Sequence, residues 1–258
     1  MLLALGLTVV VPTLLVVAGT LVLGRRRLVA DGGYDSDSVS FAGGVVSALF
    51  TVVLAFYIVF AWQTGADVDA NATAEADALI DVHRQAESLP SPQRERVQRL
   101  ADEYATRVAE VEWPALGQGG TDDGTARVLD RLRAEFTALP ADDGLAQSVR
   151  ENGLRDLREV DENRRSRIDL ATGDDAFTTV LLAATIVGAA LTMAFPLLVG
   201  VSARPANVAV TGLVSMLLGT IVFLALQLDT PLSGPFGTGP WAFEDAVVEM
   251  ARSSTSRT

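Results

Sequence analysis

Four uninterrupted apolar runs, set two and two, dominate the chain: residues 2–24 and 41–62, then 177–201 and 206–228. Each is long enough to cross roughly 30 Å of hydrocarbon as a helix rising about 1.5 Å per residue. None of them holds Asp, Glu, Lys, Arg or His. Gly43, Ser47, Thr51 and Ala55 recur every four residues along one face of the second run. Ala184 and Gly188 repeat that spacing in the third, and Ser215 and Gly219 in the fourth. Small residues at this interval let helices approach closely, so packing is the plain reading.

Residues 64–175 are polar, with helical periodicity. A segment over 73–88 closes at Leu89-Pro90, and Ser91-Pro92 then offers an N-cap followed by proline at the first helical position. Val97, Leu100, Ala101, Tyr104, Val108 and Val111 form one apolar stripe, ended by Pro114 and the glycines around Gln118. A third helix follows Asp122-Asp123 and carries Val128, Leu129, Leu132, Phe136 and Leu139. A fourth follows Asp142-Asp143 and carries Leu145, Val149, Leu154, Leu157 and Val160. After the last apolar run comes a turn, then a short helix from Pro240 bearing Trp241, Phe243, Val247 and Met250. It fits the membrane headgroup level or a seat on the central helices.

The fold class expected is all-α, with four transmembrane helices in two pairs flanking a helical soluble domain. The divisions are 1–63, with spans one and two and an Arg-rich loop; 64–175, the acidic helical domain; 176–228, with spans three and four; and 229–258, a turn and a short amphipathic helix. The first run lacks the basic leader of a signal peptide and is followed by Arg25-Arg26-Arg27, so it reads as a retained span.

The net charge of −12 sits outside the apolar runs and argues against nucleic acid as a partner. There is no cysteine, which removes disulfides, thiolate metal sites and cysteine nucleophiles. The one histidine, His83, reads as a solvated side chain on the polar side of its helix. Asp31, Asp35 and Asp37 miss the calcium-loop register, lacking its Gly and Glu. The Asp pairs stand where helix N-termini favour carboxylates. No phosphate loop, metal spacing or nucleophile elbow occurs, so the reading is not an enzyme, with no cofactor, no catalytic residue and no metal ligand. Charge-free spans also weigh against an ion-coupled transporter. They are compatible with a pore lined by Ser47, Thr51 and Ala55, with Phe50, Phe56 and Tyr57 as candidate constriction residues.

Several blocks carry a resemblance: Leu54-Ala55-Phe56 with Trp62 and Glu75-Ala76-Asp77-Ala78-Leu79; Leu89-Pro90 with Arg94, Tyr104 and Glu112-Trp113-Pro114; Arg164-Arg165-Ser166-Arg167-Ile168; and Leu228-Asp229-Thr230-Pro231 with Gly234 and Phe243. In this order they resemble the bestrophin-like family of uncharacterised prokaryotic multi-pass membrane proteins. Glu112, Trp113, Pro114, Arg164, Arg165, Arg167, Asp229 and Pro231 are the family-motif residues. The resemblance implies distant kinship with bestrophins, pentameric anion channels whose second span lines the pore. It therefore implies a homo-oligomer in membrane lipid, passing chloride or another anion. The phenylalanine run that marks the bestrophin constriction is not reproduced, since Phe50 and Phe56 stand six residues apart.

The alternative is a non-conducting scaffold or sensor whose residues 64–175 bind a protein partner. The expected location is the cell membrane. Arg25–Arg27 and Arg204 in the short connections lean the helical domain slightly to the outside, with Arg158, Arg164, Arg165 and Arg167 at the entrance to span three nearly balancing them, whereas kinship with bestrophins implies the inside.

Overall fold

The computed structural model describes residues 9–26, 36–140, 144–173, 176–199, 204–228, 232 and 237–255. Its described helices are α1 (Val11–Arg26), α2 (Ser36–Gln85), α3 (Gln93–Arg107), α4 (Trp113–Leu116), α5 (Asp123–Thr137), α6 (Gly144–Thr172), α7 (Ala176–Val199), α8 (Pro205–Leu228) and α9 (Trp241–Thr255). No strand occurs among the described residues. The chain forms two compact units. One takes Met1–Gln63 with Asp174–Asp229, the other Thr64–Gly173 with Thr230–Thr258. Helix α2 contributes residues 36–63 to the first and 64–85 to the second.

In the first unit α1, α7 and α8 pack on one another. Three helical stretches are long and apolar enough to cross a membrane: Ser40–Ser88, Gly144–Pro196 (whose apolar part is α7) and Pro205–Leu228. The described apolar stretch of α1, Val11–Val22, is shorter, and residues 2–8 of the expected first span lie outside the described residues. The core joins Val16 of α1, Phe50, Leu54 and Tyr57 of α2, Ala189 and Met193 of α7, and Val222 and Ala225 of α8.

Two reciprocal contacts set α2 against α7. The Phe195 ring lies over Gly43, where an added Cβ would fall 2.2 Å from its Cε1. Phe50 lies over Gly188, where a Cβ would fall 2.9 Å from its Cδ2. Glycine thus serves here as the hole for a ring from the facing helix. Several hydroxyls are satisfied within their own helices. Thr20 donates to the Val16 carbonyl (2.8 Å), Thr51 to Ser47 (2.9 Å) and Thr192 to Gly188 (2.8 Å), as an apolar solvent requires.

In the second unit the end of α2, α3, α5, α6 and α9 enclose one apolar core, including Leu79, Val97, Tyr104, Leu132, Phe136, Leu157 and Phe243. The predicted stripes of the third and fourth helices are largely inside: Val128, Leu129, Leu132, Phe136, Leu139, Val149, Leu157 and Val160 are buried, whereas Leu145 is exposed. One helix starts later than the spacing predicts. Ser91 and Pro92 form a turn, so α3 starts at Gln93. Of the two seats open to it, helix α9 takes the one on the central helices, with Phe243, Ala246 and Met250 buried.

Pro114 does not stop the helix, as the sequence reading expects. A π-helical turn over Val108–Glu112 runs into α4, which carries Pro114 near its start and ends at Gly117–Gly119, where Gly119 has φ 78°. A wide turn tolerates the missing N–H of proline, which a regular α turn does not. It also rotates the face. Val111 is left 42 % exposed and Glu112 turns fully inward.

Candidate functional site

Two places collect the residues that the sequence marks. The first is the outward side of α2 in the apolar unit. Ser47, Thr51 and Ala55 are all exposed there, while Gly43 of the same four-residue series is buried under Phe195. The three aromatic candidates fall elsewhere. Phe50 and Tyr57, seven residues apart, share the packed stripe with Leu54 and Ala61 and lie inside the unit. Phe56 is 55 % exposed, but five residues beyond Thr51 it stands about 140° around the helix. None of the three shares the Ser47–Thr51–Ala55 face. Trp62 does. Eleven residues after Thr51 and seven after Ala55, it returns to within about 20° of each, and it is 71 % exposed. The sequence reading places Trp62 at the end of its span and in a block of the resemblance, not on the pore face; counting turns from Thr51 finds it there.

The second place is a buried ionic cluster in the helical unit. Glu75 arrives from α2, Tyr104 from α3, Glu112 from the π turn, and Arg164 and Arg167 from α6; Arg167, Glu75 and Glu112 are each fully buried. Arg167 Nε and Nη2 donate to Glu75 Oε2 (2.8 Å) and Oε1 (3.1 Å), and the Tyr104 hydroxyl donates to Oε1 (2.7 Å). Arg164 Nη2 and Nε donate to Glu112 Oε1 (2.7 Å) and Oε2 (3.3 Å). Arg167 Nη2 also stands 3.6 Å from Glu112 Oε2, so the two pairs form one neutral quartet. Its guanidinium lies 5.4 Å from the ring centres of both Trp113 and Phe243, at cation–π range. Trp113 in turn donates from Nε1 to the Thr238 carbonyl (3.1 Å).

Burial dominates the electrostatics. It pushes the Glu75 carboxyl above its usual range against the pull of Arg167, and it raises the Tyr104 hydroxyl well above its own, with the Glu75 charge adding to that. Burial works against the Arg167 charge, but the Glu75 carboxylate outweighs it and holds the guanidinium above its ordinary value. A cluster so arranged ties α2, α3, the π turn and α6 to one another. Beside it Asp122 caps α5, accepting from the N–H groups of Gly124 (3.2 Å) and Thr125 (2.9 Å), and is gripped by Arg107. Among the described residues no group of three or more His, Cys, Asp or Glu is placed to hold a metal ion.

The family model of the Bestrophin-like domain matches residues 6–243. The chain belongs to the Bestrophin-like family. Crystal structures of two point variants of a bacterial Bestrophin homolog from Klebsiella pneumoniae share its fold. One has a TM-score of 0.69 at 13 % identity over 95 % of this chain and 98 % of that one; the other has 0.70 at 15 % over 94 % and 98 %. A crystal structure described as a membrane protein matches with a TM-score of 0.69 at 15 % identity over 94 % and 98 %. No curated protein matches the chain.

The Bestrophin-like chain is thus a helical membrane protein. Of the residues that the sequence pattern offers as a family motif, Glu112, Trp113, Arg164 and Arg167 meet in the buried cluster. Pro114 is exposed at the turn beside it, and Arg165 is an exposed partner of Asp161 (2.6 Å). Asp229 and Pro231 lie outside the described residues. Glu75 and Tyr104 complete the cluster without having been singled out as site residues.

His83 is a correction. It is 1 % exposed, in the core of the helical unit and not on a solvated face.

Proposed function

We propose that the protein is a multi-pass cell-membrane protein with four transmembrane helices in two pairs, whose copies assemble as an oligomeric, bestrophin-like anion channel with α2 lining the pore. The apolar sequence ahead of α1 supplies the length its described part lacks. The observation that carries the reading is the two-sidedness of α2. One stripe is committed to its own unit through Gly43, Phe50, Leu54 and Tyr57, while Ser47, Thr51 and Ala55 are left uncovered. The hydroxyl of Ser47, and that of Thr51 once it turns from the Ser47 carbonyl it donates to, can donate to an anion in place of part of its hydration shell, and a pore of this kind needs no ionisable group in the membrane. Trp62, on the same face, is the constriction residue of this reading, in place of Phe50, Phe56 and Tyr57. Chloride or another small anion is the permeant ion, membrane lipid surrounds the assembly, and the helical domain faces outward by the arginines of the short connections.

The chain has no native cysteine, so single cysteines at 47, 51, 55 and 62 test the face directly. Water-soluble thiol reagents are expected to reach these positions and block anion flux, whereas cysteine at position 54 or 57 stays unreactive. Equal reactivity at all six positions would remove α2 from the pore.

A second reading, a scaffold whose helical domain binds a protein, is favoured by one feature. A groove of about 930 Å³ along α3 and α5 is lined by Arg96, Arg99, Glu103, Glu110, Arg131 and Glu135. Full-length protein that recovers one reproducible partner through this groove, and conducts nothing, would support it.

A further inference from the structure

His83 is the chain's single histidine, and it lies among apolar residues of the helical unit, close along α2 to Leu79, Val82 and Ala86. Neither of its ring nitrogens has a hydrogen-bond partner among the described residues, and the same holds for the buried Oδ1 of Asp102 on α3, a residue that is itself only half-buried and lines the groove along α3 and α5. Buried polar atoms left without partners are uncommon, and each costs free energy while it stays so. Here the two groups are chemically complementary, one able to accept a proton and the other to balance the resulting charge.

Three charged groups act on the ring. Asp102 of α3 and Glu87 of the turn after α2 favour the imidazolium, and Arg84 of α2 itself opposes it. Arg84 is held by Asp81 and, from α9, by Glu249. Burial outweighs these charges and keeps the ring below its usual histidine range; burial likewise raises Asp102, against the pull of His83.

We propose that His83 with Asp102 is a proton-binding site that loosens the end of α2 from α3 on acidification. The packed arrangement accommodates the neutral ring, so a proton taken up by His83 favours a state in which the ring reaches water. A histidine whose folded value lies below its unfolded one contributes stability above about pH 6.5, and that stability is lost as pH falls through this range. Because α2 also carries Ser47, Thr51 and Ala55, loosening its far end is positioned to change conduction. That consequence rests on the channel reading; proton binding itself does not.

Histidine-selective ¹⁵N labelling of the full chain in lipid nanodiscs yields one imidazole signal, which is titrated while amide hydrogen exchange is followed over residues 79–105. The expected midpoint lies below about 6.5, with exchange rising beyond its intrinsic pH dependence as the ring becomes charged. Asp102→Asn is expected to move the midpoint lower still, and His83→Gln to abolish the pH-dependent part of the exchange. A wild-type midpoint at or above that of a free histidine overturns the proposal, as does exchange that responds identically in His83→Gln. An Asp102→Asn midpoint equal to wild type removes Asp102 from the site. Conductance is measured separately, so a silent channel leaves the proton site standing or falling on the titration alone.

Discussion

Removing the charge of Arg167 leaves Glu75 buried with an uncompensated carboxylate, and Glu75→Gln leaves the guanidinium in the same position. Breaking a buried pair in this way costs about 3–5 kcal/mol. Each variant is therefore expected to unfold at a much lower denaturant concentration than wild type in detergent, with loss of helix signal as the readout. A double variant with two apolar residues of similar volume should recover most of the loss. Asp122 gives a second test. Arg107 first, then Thr125 and the Gly124 N–H, hold its carboxyl well below the usual range, against an opposing push from burial. Its contribution is thus present above about pH 4 and is lost as pH falls further. Asp122→Ala should cost about 1 kcal/mol at neutral pH and flatten the acid limb of the melting curve. Only part of this was legible in the sequence. The cap followed from Asp ahead of an apolar stripe, but Glu75 and Arg167 are 92 residues apart, and no local signal joins them. His83 was misread because burial is a property of the packed unit, which a polar neighbour such as Arg84 obscures.

The elements were read better than their faces. Apolar length and three-to-four spacing marked the spans and the central helices, since those signals are local. The π turn was not visible, since the partner of Glu112, Arg164, lies 52 positions away and nothing local marks a widened turn ahead of Pro114. One extra residue in that turn exchanges Val111 for Glu112 at the core. Helix α9 had two seats with the same amphipathic pattern, and contacts from Phe243 and Met250 to the helical core decide between them. At this scale the close approach of α2 to α7 is the sharpest test. Gly188→Ala brings a Cβ to 2.9 Å from Phe50 Cδ2, so the ring or the helix must shift, at a cost of about 1–3 kcal/mol. Thermal unfolding in detergent should register that loss, while Ala184→Gly on the exposed side of α7 changes stability by less than about 1 kcal/mol.

At the scale of the whole molecule there is a prediction for sidedness and one for conduction. Arg25–Arg27 and Arg204 favour an outward helical domain, so a cysteine placed at exposed Glu103 should react with a membrane-impermeant maleimide on intact cells. Labelling only after lysis would put the domain inside and follow the orientation that kinship with bestrophins implies. Neither result alters the account of α2, which depends on what its uncovered face does in an assembly. The most direct measurement is anion current through purified protein in planar bilayers, comparing wild type with Thr51→Trp. The account predicts a chloride-carrying current in wild type that falls by at least tenfold when the indole fills the pore face, with the oligomer intact. A current unchanged by Thr51→Trp, or none in wild type across salt, voltage and calcium conditions, would contradict it.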